Sequence, residues 1–141
     1  MGRGADWAIE EVRVARVWLV IIALSIGVGV VAAKAALFTS LTGRPLVFSW
    51  DVAPVNALLV AIPYLGLALA GATRLLPWLI GLALTLSLWG YSLYSGVRYQ
   101  WNPDGSGANI GLGLMMMVSP FIILPIVLGV DAVQRRASAR S

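Results

Sequence analysis

The chain contains no cysteine and no histidine, and only six of its 141 residues are acidic. Without cysteine there are no disulfides, no thiolate nucleophile, no iron–sulfur cluster and no Cys-type zinc site. Without histidine the chain lacks the usual axial ligand of haem and the commonest ligand of zinc and copper. It also lacks the side chain best suited to moving protons near neutral pH. Methionine can ligate haem or Cu(I), but alone it makes an unusual site. No cofactor and no metal is therefore expected. Charge of either sign is scarce, at 11% of residues against 60% hydrophobic. A soluble domain carries about 25% charged residues, so this chain has too little polar surface to stay dissolved in water.

What is present is four long apolar runs, at Val17–Phe38, Val52–Ala72, Leu75–Val97 and Ile110–Val130. Each is near the roughly 20 residues a helix needs to cross a hydrocarbon core. The expected fold is an all-α integral membrane protein, with four transmembrane helices in an antiparallel bundle and one membrane domain over residues 1–141. Residues 1–16 form the lead-in, 39–51 and 98–109 the loops on one side, 73–74 a tight turn on the other, and 131–141 a basic, frayed tail. Four spans place both termini on one side. That side carries Arg3, Arg13, Arg16, Arg74, Arg135, Arg136 and Arg140, against Lys34, Arg44 and Arg98 opposite. Seven basic residues against three point to cytoplasmic termini by the positive-inside rule; in a bacterium the membrane is the inner one.

The net charge of +4 would suggest nucleic acid in a soluble protein. Here the bases flank helix ends, so Arg13, Arg16, Arg135 and Arg136 are read as contacts to anionic lipid headgroups, with no nucleic-acid partner. The first apolar run is longer than a signal-peptide core and is read as a true span. Before it, Ala5–Arg16 has helical character, with Asp6 at its start and an opposite-charge pair, Glu10 and Arg13. Nothing there breaks a helix. A continuous protruding helix is therefore preferred over a surface helix with Trp7 in the headgroups.

Small residues recur at four-residue spacing: Ser25, Gly29 and Ala33 in the first span, extended by Ala23 and Gly27, and Gly66 and Ala70 in the second. Such stripes let helices approach closely in lipid. Pro63 lies inside span two, and Pro120 and Pro125 inside span four, so kinks are expected in both. The Leu46–Trp50 run is apolar for a loop and is placed at the interface. Loop three centres on turn chemistry, Asn102-Pro103-Asp104-Gly105-Ser106-Gly107. It partly follows calcium-loop spacing, but the position that needs a bidentate acid is Gly113, so a plain turn is expected. Met115–Met117 point about 100° apart and cannot converge on one ion, which leaves apolar packing.

The polar residues of the spans gather toward the extracytoplasmic half: Lys34, Arg44, Asp51, Asn56, Tyr91, Tyr94, Arg98 and Asp104. Ser87, Tyr91, Tyr94, Ser95 and Arg98 share one face of span three by helical spacing, with Trp89 off that face. Lys34 is expected to snorkel to the interface, with Asp51 or Asp104 as the alternative partner. Asn56 is placed to bond across to span three. If a small molecule binds, this cluster is where it would sit. No acid lies at mid-membrane, which counts against a self-sufficient proton-driven carrier. No nucleophile–base pair or phosphate-cradling glycine motif emerges, so an enzyme is not expected.

Three functions remain. The first is a non-catalytic accessory or structural subunit that packs against other membrane proteins, or against itself. The second is a small transporter or channel-forming homo-oligomer, favoured by proline-interrupted spans. The third is a lipid- or pigment-associated scaffold.

Overall fold

A computed structural model of the protein describes residues 3–45, 52–101 and 110–140. They form an all-helical apolar bundle of four elements: α1 (Arg3–Thr42), α2 (Val52–Leu69), α3 (Leu75–Trp101) and α4 (Ile110–Ser138). Each contains a window long and apolar enough to cross a membrane, within Glu10–Thr42, Val52–Leu69, Leu75–Trp101 and Gly113–Ser138. The large apolar side chains turned outward, such as Val28, Leu58, Leu86 and Ile122, fit an acyl-chain surround rather than water. The Leu46–Trp50 segment and the Asn102–Gly107 turn lie outside the described residues.

Helix α1 is 40 residues long, or about 60 Å at 1.5 Å per residue. That is about twice the thickness of a hydrocarbon core. The lead-in and the first apolar run are therefore one uninterrupted helix, part of which extends beyond any bilayer interior. At the other end of the chain the expected frayed tail is instead helical to Ser138. The reason is a set of bonds from residues that look solvent-bound in sequence. Arg135 Nε reaches Asp131 Oδ2 at 2.6 Å, its Nη2 donates to the Ala70 carbonyl at 2.8 Å, and Arg74 Nη2 donates to Ser138 Oγ at 3.0 Å. Asp131 is buried.

Helix α2 ends in a tight C-terminal cap. The Ala72 amide bonds the Leu67 carbonyl and the Gly71 amide bonds the Ala68 carbonyl. Gly71 takes a φ of 67°, a left-handed geometry that a side chain resists. The Trp78 indole then donates to the Ala72 carbonyl at 2.9 Å, tying the start of α3 to the same turn. Despite this short connection, α2 packs most extensively on α1 and α4 and least on α3.

The closest approach is between α1 and α2. Gly27 is buried against Ala57 and Ala61; a Cβ there would overlap the Ala57 carbonyl oxygen. Within the chain the contact falls on the Gly27 part of the small-residue surface. Ser25, Gly29 and Ala33 are exposed, and a Cβ on Gly29 would meet nothing within 4 Å. Ala23, Gly27 and Val31 are the buried set. Two residues along a helix is about 200° around its axis, so the two interleaved stripes face opposite ways. In α2, Gly66 does serve as a contact, against the Leu124 side chain of α4, whereas Ala70 is exposed and contributes its carbonyl.

The core centres on Tyr64, which has no exposed surface. Its hydroxyl donates to Thr85 Oγ1 at 3.0 Å, and its ring lies 6.0 Å from that of Trp78. Gly81 makes room for it: a Cβ there would stand 3.3 Å from the Tyr64 ring and 3.2 Å from Val127. Leu67, Ala72, Ile123 and Val127 form the adjoining apolar cluster.

Candidate functional site

Lys34 is where three helices meet. Its ammonium donates to Ser92 Oγ of α3 at 2.8 Å, stands 4.9 Å from the ring centroid of Trp89, and contacts Met116 Sδ of α4 at 4.0 Å. Trp89 and Ser92 are buried, one turn apart on the inward face of α3. The expected snorkelling is thus replaced by an inward reach. A hydroxyl lone pair and the negative face of an indole ring are the compensation within the described chain. A desolvated ammonium over an indole is worth about 2 kcal/mol or more. Asp51 and Asp104, the carboxylates considered as partners, lie outside the described residues.

The face of α3 is the reverse of the one expected. Tyr91 and Tyr94 are 57% and 61% exposed, Arg98 is exposed, and Ser87 bonds its own helix at the Ala83 carbonyl. Pro77, Gly81, Thr85, Trp89 and Ser92 are buried instead. Trp89, set aside in sequence as lying off the polar stripe, belongs to the core. Asn56 is half-buried and makes no hydrogen bond to α3 among the described residues. Arg44 joins the end of α3 through Gln100, with Nη1 to Oε1 at 3.1 Å. So the structure brings together Lys34, Trp89 and Ser92, and separately Arg44 and Gln100. It leaves Tyr91, Tyr94 and Arg98 on the outer surface. The signal for the inward set was present as the 4, 4, 4, 3 spacing from Pro77 to Ser92, which describes a face as well as the polar stripe does.

A second polar group stands at the opposite end. Asp131, Arg135, Arg74 and Ser138 join α4 to the α2–α3 connection. Asp131–Arg135 is the only ion pair among the described residues. Of the residues read as headgroup contacts, Arg13, Arg16 and Arg136 are exposed, while Arg135 is half-exposed and engaged with Asp131 and Ala70.

Chemically, Lys34 and Ser92 offer donors to an oxygen acceptor. Among the described residues the group bonded to Ser92 Oγ is Lys34 Nζ. Among the described residues no three of Asp, Glu, His or Cys come together in a metal-binding arrangement. Comparison with known protein families, characterised proteins and solved structures finds no match to this chain.

Proposed function

We propose that the chain is a non-catalytic, multi-pass membrane protein that acts by packing against another membrane-spanning helix. In this reading the helices alternate in direction, both termini lie on the cytoplasmic side, and Pro63, Pro120 and Pro125 bend α2 and α4. The observation that carries the reading is the one-sided packing of α1. Only 17% of its membrane window is buried within the chain, against 33% for α2. The bare side presents Ser25, Gly29 and Ala33, with open space where a Cβ on Gly29 would be. Small residues facing lipid leave shallow packing, whereas a second helix can approach their backbone closely. The polar side chains of the interior support the same reading, because Lys34 with Ser92 and Tyr64 with Thr85 hold the helices to each other.

A photo-crosslinking residue at Gly29 tests this in native membranes, with Leu58 on the outer side of α2 as the control. The expected result is a discrete adduct from position 29, containing another membrane protein or a second copy of this chain. Position 58 should give at least tenfold less. Equal, diffuse labelling from both positions overturns the reading. The inward ammonium of Lys34 favours a second reading, a small homo-oligomeric carrier for an anionic solute. Adducts at position 29 consisting solely of this chain, together with solute flux in reconstituted vesicles, would select it.

A further inference from the structure

A groove of about 320 Å³ runs between the first part of α1 and the start of α3. Its walls are Leu19, Ile22 and Ile26 on one side and Trp78, Leu79 and Leu82 on the other, with Thr73 and Leu75 also lining it. The volume is at the lower end of the range for small-molecule sites. Apart from Thr73 it has no polar lining residue, and the Trp78 N–H is already taken by Ala72.

Its shape and position select the occupant. Leu19 to Ile26 and Leu75 to Leu82 each span seven residues, about 10 Å along a helix. Half a hydrocarbon core is about 15 Å. The groove therefore starts at the helix ends and runs part of the way through one leaflet, in the manner of a single acyl chain. Trp18, 61% exposed, sits beside Leu19, at the level where tryptophan marks the headgroup boundary. Arg16, exposed and one turn outward from Leu19, places a base at the rim, whereas Arg74 is turned to α4, where its Nη2 donates to Ser138 Oγ. The buried Asp131 of this end is neutralised by Arg135, and Glu10 and Glu11 lie further out along α1.

We infer that this groove binds one anionic glycerophospholipid, with an acyl chain between α1 and α3 and its phosphate beside Arg16. The site rests on the membrane reading above but on no protein partner, so its failure would leave the Gly29 crosslink untouched.

The probe is the detergent-purified full chain exchanged with mixed vesicles of phosphatidylglycerol and phosphatidylcholine, with retained lipid identified by native mass spectrometry. The expected result is one tightly retained phosphatidylglycerol in preference to phosphatidylcholine. Arg16→Gln should lower that preference about fivefold, the effect of one interfacial base. Ile22→Trp, which fills the groove, should abolish retention. Fluorescence keeps the test sound if Ile22→Trp fails to fold. Phosphatidylglycerol brominated on its acyl chain should quench the component lost in Trp78→Phe more than brominated phosphatidylcholine does at equal content. Equal retention of the two lipids by the unmodified chain, or equal quenching by both, would overturn the site.

Discussion

Gly27→Leu is expected to destabilise the bundle strongly, while Gly29→Leu, two residues on, leaves its stability nearly unchanged. The difference comes from what each position faces. A side chain at 27 would overlap the carbonyl oxygen of Ala57 and press on the Ala61 methyl. The obstacle is helix backbone, so relief requires α1 and α2 to move apart along their most extensive contact. Overpacking of this kind costs about 3 kcal/mol, the upper end of the usual range, because nothing flexible can yield. At Gly29 the added side chain enters open space, and surface changes lie within about 0.5 kcal/mol. Thermal unfolding in detergent, followed by far-UV circular dichroism, checks the pair. A loss at 29 as large as at 27 would mean that the helix is turned the other way.

Tyr64→Ala is the second large effect, at about 3 kcal/mol, the low end of the aromatic-to-alanine range in water. The low end applies because lipid is as apolar as the bundle interior, so transfer contributes little and the empty volume does most of the harm. That volume is bounded by Trp78, Gly81 and Val127, none of which can collapse far without dragging its helix. Tyr64→Phe isolates the hydrogen bond to Thr85. Its expected loss is about 0.6 kcal/mol, the average for such bonds between membrane helices. The same unfolding assay should therefore rank Ala well below Phe, and Phe slightly below the parent chain.

The four helices are legible in the sequence because apolar length alone reports a span. The helix starts at Val52, Leu75 and Ile110 coincide with the starts of the apolar runs. The ends of α3 and α4 run on, to Trp101 and Ser138, while α2 stops at Leu69, short of Ala72, because hydropathy registers the boundary of a solvent and not of a hydrogen-bond ladder. The continuity of α1 was readable from the absence of any breaker between Ala5 and Phe38.

Which side of α1 and of α3 turns inward was not readable, for one shared cause. In α1 the stripes through Gly27 and Gly29 are both rich in small residues, and in α3 the stripes through Thr85 and Ser87 both carry hydroxyls. In water the polar side declares itself. In lipid both sides are apolar, and the deciding term is the fit of a glycine to a neighbouring backbone or of Tyr64 to Gly81. That information belongs to pairs of helices. Lys34 was placed at the interface by its long stem, yet Trp89 and Ser92, 55 and 58 positions away, give its charge a nearer harbour. The Asp131–Arg135 spacing is that of a helical pair, but the Ala70 carbonyl that Arg135 also reaches is 65 positions away and cannot be seen from the sequence.

Because the native chain has no cysteine, single cysteines placed one at a time report membrane sidedness without background. Thr73 and Ser138 stand at one end of the helices, Gly43 and Gln100 at the other. In sealed vesicles of known orientation, a membrane-impermeant maleimide is expected to label cysteine at 73 and 138 from the cytoplasmic face and at 43 and 100 from the opposite face. Labelling of 43 and 73 from the same side, or of all four from both sides, would contradict a chain that crosses the membrane four times.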